Sequence, residues 1–137
     1  MTPLGLAVGQ KARRSKTVTA RDVELYAEIT GDRNPLHFDP AFAAGTRFGR
    51  LVAQGGITSG MLNALVAMDL PGPGTVFMSQ TLKYLAPTYL GDTLTAEVEV
   101  LSVKPDKPVC QLKATVTNQD GTVVLEGECW TYTMRPA

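Results

Sequence analysis

Residues 51–68 contain no charged side chain, so the chain must bury this stretch against something. The run reaches the minimum length of a membrane span, about 18 residues, but Gln54, Thr58, Ser59, Asn63 and three glycines interrupt it. A buried helix is the better reading. Over residues 56–68, Ile57, Met61, Leu65 and Met68 recur on one helical face, with Leu62 and Val66 adding apolar bulk beside it. A helix apolar on most sides is expected to be surrounded by protein. The turn cluster Pro71-Gly72-Pro73-Gly74 should end it.

Everything after that cluster reads as strand, over roughly residues 75–86, 92–104, 109–118 and 122–134. Thr93-Leu94-Thr95-Ala96-Glu97-Val98-Glu99-Val100 alternates apolar and polar residues, as a sheet with one buried face requires. Pro87 and Gly91-Asp92 separate the first two strands, and Asp120-Gly121 is a hairpin turn. Before the helix, residues 10–18 form an alternating basic segment with Lys11, Arg13, Arg14 and Lys16, the pattern of an exposed edge strand. Thr19 caps a short helix over residues 20–30, with Asp22 in its first turn and Gly31 as its stop. Asp39-Pro40 opens another, ending near Gly45. The layering is α+β, a sheet wrapped around one long helix, and residues 1–137 form a single domain.

Thirteen Lys and Arg balance thirteen Asp and Glu, with one His, so the formal net charge is zero. Nucleic-acid binding, which draws most of its affinity from an excess of cations, is not expected. A hydrophobic fraction of 44% is that of a folded domain. The first nine residues lack the basic start and apolar run of a secretory signal, so a cytoplasmic location is expected. Cys110 and Cys129 fall in consecutive strands and read as packed thiols; one register would let them face each other.

The segment Thr30-Gly31-Asp32-Arg33-Asn34-Pro35-Leu36-His37-Phe38-Asp39 holds the sole histidine, five positions after Asp32. In a regular helix that spacing would turn the two side chains apart by roughly 140°. Pro35 fixes its own φ and pushes Asn34 toward extended backbone, so residues 31–37 should form an irregular loop able to bring both groups to one site. A carboxylate and an imidazole together can handle a proton. The same residues also read as ordinary turn chemistry, with His37 packing a bend. Further on, Phe48-Gly49-Arg50-Leu51-Val52-Ala53-Gln54-Gly55-Gly56-Ile57 brings two glycines to the start of the uncharged helix. Free N–H groups there can stabilise an oxyanion; equally, the glycines can let the helix start pack closely against a strand.

Taken together, Tyr26 through His37, read as Tyr-Ala-Glu-Ile-Thr-Gly-Asp-Arg-Asn-Pro-Leu-His, resembles the signature of the MaoC-like dehydratases, the R-specific (type 2) enoyl-CoA hydratases. The likeness continues through Phe48-Gly49-Arg50 and the Gly55 helix start and covers nearly the whole chain. It implies a hot-dog fold, in a homodimer or dimer of dimers. It also implies that Asp32 and His37 activate a water, that Asn34 orients the loop or that water, and that the Gly55 amide contributes to an oxyanion hole. The position before Gly55, often His in the family, is Gln54 here, which bears on substrate orientation. Substrate contacts are expected from Gln54, Gly56, Ile57 and Arg50. The acyl chain would run beside Ile57, Met61 and Leu65, which read equally as plain core, and Arg47, Arg50 and Lys83 are candidates for the CoA phosphates or ordinary basic residues of the surface.

The resemblance therefore implies reversible hydration of a trans-2-enoyl-CoA to the (R)-3-hydroxyacyl-CoA, on an acyl-CoA thioester, without cofactor or membrane partner. One His with scattered carboxylates does not make a credible transition-metal shell. Two competing functions use the same scaffold: a hot-dog thioesterase, with water attacking the thioester carbonyl, and a non-catalytic acyl-CoA-binding protein.

Overall fold

A computed structural model describes residues 3–136. Five strands, β1 (Lys11–Thr17), β2 (Thr75–Tyr84), β3 (Thr93–Val103), β4 (Val109–Thr117) and β5 (Val123–Thr133), form one antiparallel sheet in the order β1-β3-β4-β5-β2. The helices are α1 (Ala20–Thr30), α2 (Pro35–Phe38), α3 (Pro40–Ala44) and α4 (Gly55–Ala64). On the inner face of the sheet, Leu94, Ala96, Val98 and Val100 of β3 and Leu112, Ala114 and Val116 of β4 meet Met61, Leu62, Leu65 and Val66. Truncating one fully buried member such as Leu62 to Ala would cost about 2–5 kcal/mol. This is the sheet-around-helix layering expected above.

The basic segment is an edge strand, and its alternation has a partner for each outward cation. Lys11 and Arg13 face Glu99 and Glu97 across the β1–β3 register, with N–O distances of 3.8 and 2.8 Å. Arg14 reaches Asp69 at 2.6 Å. Such exposed pairs stabilise little, about 0–1 kcal/mol each, and they blunt an open edge.

The start of α1 follows from its cap. Thr19 and Asp22 form a reciprocal capping box, and Lys16 lies 3.0 Å from the Asp22 carboxylate. Burial alone would raise the Asp22 carboxyl, yet the backbone N–H and hydroxyl of Thr19 and the Lys16 ammonium together hold it below its ordinary value. Gly31 ends α1 in the left-handed region at φ 81°, donating its N–H to the Ala27 carbonyl.

Four expectations need correction. The backbone of residues 31–37 is irregular only as far as Asn34, which is extended as the rule for a residue before proline predicts. Pro35 then opens the helical turn α2, because Asn34 Oδ1 accepts from the Leu36 N–H and serves as its N-cap. The long helix begins at Gly55 and widens into a π turn over Leu65–Asp69, with the Leu70 N–H closing on Leu65 O at 2.8 Å. That wider turn shifts the apolar phase, so Met68 is exposed instead of sharing the buried face.

Nor is α4 enclosed on all sides. Ile57, Gly60 and Ala64 are half-buried beside a groove with Arg14, Ser15 and Lys16 of β1, because the edge strand covers α4 incompletely. In the β4–β5 register Cys110 faces Thr131 and Cys129 faces Leu112, so the thiols are offset by two residues rather than opposed. Both are free and buried. Burial pushes Cys110 up to about 11 and Cys129 up to about 12, the latter helped by Cys110.

Candidate active site

The site is assembled where three segments meet: the connection from α1 to α2, the segment entering α4, and the chain leaving β2. Gly31 stops α1, and the next residues turn tightly. The Thr30 hydroxyl donates to Tyr26 O and accepts from the Asp32 N–H, and Asp32 Oδ1 accepts from the Asn34 N–H at 3.2 Å. One carboxylate oxygen is thereby used to shape the turn. The other, Oδ2, lies 3.6 Å from His37 Nε2.

His37 is buried on α2, and its Nδ1 is 2.7 Å from the Val52 carbonyl oxygen. A carbonyl can only accept, so Nδ1 carries a proton, and in the neutral ring the lone pair is on Nε2, toward Asp32. Arg33 is drawn off to Glu24 at 3.3 Å and over the Phe38 ring, away from the Asp32 carboxylate. The Asp32 side chain is 40% exposed and that of His37 9%, so the pair spans the boundary between solvent and interior.

His37 and Gly55 line one cavity of about 330 Å³, together with Arg47, Phe48, Thr58, Tyr84 and Thr88 among others. As the first residues of α4, Gly55 and Gly56 have N–H groups with no intrahelical acceptor. The missing side chain at Gly55 makes room for Tyr84, whose Cε1 would stand 2.9 Å from an added Cβ. The space over Gly56 is filled by the Tyr26 ring and hydroxyl. Close packing and a free amide thus coexist at the helix start.

The remaining sequence candidates scatter. Gln54 is 1% exposed and is absent from the cavity wall; its Nε2 donates to Val23 O at 3.1 Å. Its Oε1 has no partner among the described residues, a situation that costs about 1–3 kcal/mol for a buried polar atom. Arg50 stacks on Tyr89, with its guanidinium carbon 3.9 Å from the ring centroid. Ile57 and Met61 face the groove beside β1, Leu65 is wholly buried, and Lys83, next to Tyr84 in β2, is exposed and lines a separate cavity with Glu126 and Glu128. Of the three candidate phosphate contacts, Arg47 alone lines the cavity that holds His37.

Sequence reasoning missed Thr58, Thr88 and Tyr84. The hydroxyls of Thr58 and Thr88 are buried and 3.4 Å apart. A signal for Thr58 was available: it sits three residues before Met61, so a hydroxyl falls on a buried face, where polar groups are uncommon. Tyr84 gave no signal, because its place over Gly55 depends on where β2 ends relative to α4.

Residues 6–124 match the family described as MaoC like domain. An (R)-specific enoyl-CoA hydratase of Aeromonas caviae is 41% identical over 128 residues, spanning 93% of this chain and 96% of that one. A 3-hydroxybutyryl-CoA dehydratase of Methylorubrum extorquens is 43% identical over 123 residues, spanning 90% of this chain and 78% of its own. The solved structure of an (R)-hydratase from A. caviae involved in PHA biosynthesis superposes with a TM-score of 0.91 at 39% identity, covering 95% of this chain and 98% of that chain. With the family match and these relatives spanning most of its length, the chain belongs to the MaoC-like dehydratases and has their hot-dog fold.

Proposed function

We propose that the protein catalyses the reversible addition of water to a trans-2-enoyl-CoA, giving the (R)-3-hydroxyacyl-CoA, with Asp32 and His37 as the proton-handling pair. The observation that carries this reading is the 3.6 Å separation of His37 Nε2 and Asp32 Oδ2, with Nδ1 committed to Val52. That gap is too long for a direct hydrogen bond, so both atoms are left to accept from one water seated beside them. The relatives named as an enoyl-CoA hydratase and a hydroxybutyryl-CoA dehydratase supply the reaction class.

In the forward direction the water oxygen adds to C3 of the enoyl group while the pair takes its proton. A proton is returned to C2 on the same face, so none is consumed overall. Negative charge that develops on the thioester oxygen meets the Gly55 N–H at the start of α4. Asn34 acts through its backbone: its N–H holds Asp32 Oδ1, which leaves Oδ2 for the water. Dehydration runs the same steps in reverse.

The two sheet edges, β1 and β2, and the exposed Val76, Met78 and Leu85 at the β2 side support assembly as a homodimer or a dimer of dimers. Sedimentation would report that state directly. For the chemistry, purified protein is incubated with crotonyl-CoA and the enoyl absorbance is followed, with chiral analysis of the product. Loss of absorbance with (R)-3-hydroxybutyryl-CoA is expected. Free thiol without hydration would replace this reading with a thioesterase, and binding without turnover with an acyl-CoA-binding protein.

A further inference from the structure

Asp32 follows α1, whereas Gly55 opens α4, so the proposed chemistry is divided between two helices whose relative placement must be fixed. Consecutive residues before Gly55 do this, each tied to a different element. Val52 donates its N–H to Leu36 O at 3.1 Å and accepts from His37 Nδ1, and Ala53 donates to Thr88 O at 2.7 Å. Gln54 reaches α1 through its carboxamide. Although it occupies the N-cap position of α4, its side chain makes no capping bond.

Val23 lies inside α1, where the amide of residue 27 already serves its carbonyl in the helical pattern. The bond from Gln54 is therefore not needed to satisfy that oxygen. An apolar side chain of equal bulk would fill the same buried space without leaving Oε1 unpartnered. What the carboxamide adds is a directional tie between the helices, at the seam where Tyr26 of α1 closes over Gly56.

We propose that Gln54 is a positioning residue, whose N–H bond to the Val23 carbonyl sets the Gly55 amide against the Asp32/His37 pair without touching substrate. This inference rests on the hydratase reading above. Loosening the seam would misplace the oxyanion donor while leaving the cavity wall unchanged, so the effect belongs in kcat rather than KM.

The test compares Gln54→Met, Gln54→Glu and Gln54→His with the wild type, using crotonyl-CoA hydration at a temperature where circular dichroism shows each variant folded. Met removes the donor; Glu keeps the shape and, assayed at a pH high enough to ionise a buried carboxyl, has no proton to give; the His ring N–H ends at a reach similar to that of the native amide. The expected result is a fall in kcat of about tenfold or more for Gln54→Met and Gln54→Glu, with KM within about twofold, and recovery to near the wild-type rate in Gln54→His. Unchanged kcat in folded Gln54→Met, or a rise in KM alone, would overturn the assignment. If Gln54→Met does not fold, the Glu and His variants decide. An inactive Glu with an active His supports it, and equal rates in the two overturn it. A wild type that does not hydrate crotonyl-CoA would remove the hydratase reading and this inference together; an active wild type with indifferent variants removes only the inference.

Discussion

His37 Nδ1 lies 2.7 Å from the carbonyl oxygen of Val52, which stands three positions before Gly55. The ring that faces Asp32 is therefore aimed by the same short segment that delivers the helix-start amide. A shift of that segment would disturb both the imidazole and the amide.

Asp32→Asn should lose activity while keeping its fold. The Asn oxygen can still accept from the Asn34 N–H, so the turn survives, but the proton acceptor beside His37 Nε2 is gone. A decrease in kcat of about 10²–10⁴ is expected with little change in melting temperature. Steady-state hydration assays paired with thermal denaturation check it, and full turnover in the variant would exclude Asp32 from the chemistry.

The two glycines at the start of α4 should respond differently to alanine. At Gly56 the new methyl meets the Tyr26 ring and hydroxyl in a packed seam, so Gly56→Ala should destabilise by about 1–3 kcal/mol. At Gly55 the neighbour is the outer edge of Tyr84, an exposed ring that can swing aside. Gly55→Ala should therefore melt close to the wild type, and its defect should appear in turnover. Urea unfolding of both variants gives the comparison; equal losses of stability would contradict this account of the seam.

Among the basic candidates, Arg47→Ala should raise KM for an acyl-CoA severalfold with kcat retained, as when binding energy is removed equally from the ground and transition states. Arg47 lines the cavity with His37, whereas Arg50 is held on Tyr89 and Lys83 lies elsewhere. Arg50→Ala and Lys83→Ala should leave KM nearly unchanged. Saturation curves for the three variants at one ionic strength provide the measurement, and a larger KM effect at Lys83 than at Arg47 would count against the cavity as the binding site.

Burial of the cysteines should show as an alkaline weakness. In the folded chain Cys110 and Cys129 stay protonated up to about 11 and about 12, whereas thiols in the unfolded chain ionise near their ordinary value of 9.0. Above that value the folded state binds more protons, so stability falls as pH rises through this window and is untouched at neutral pH. Melting temperature against pH should decline more steeply in the wild type than in a Cys110→Ala/Cys129→Ala variant. Parallel curves would show that thiol ionisation contributes nothing.

Local signals in the chain were sufficient for most of its elements, the helical turn α2 and the π turn that ends the long helix excepted. Period-two alternation marks β3, the Thr19/Asp22 box and Gly31 bound α1, and Gly-Asp-Arg-Asn-Pro-Leu-His identifies the turn that carries Asp32 and His37. These depend on residues close in sequence, where steric and hydrogen-bonding preferences act directly. Only the tertiary structure decided which way the longer-range candidates face: Gln54 into α1, Ile57 toward the β1 groove, Arg50 onto Tyr89, and Thr58 and Tyr84 into the cavity with His37. Periodicity tells which side of a helix or strand is apolar, but the identity of the neighbour across that side is set by packing between segments tens of residues apart. The Val52 carbonyl that fixes the histidine tautomer is a backbone group, invisible to any reading of side chains.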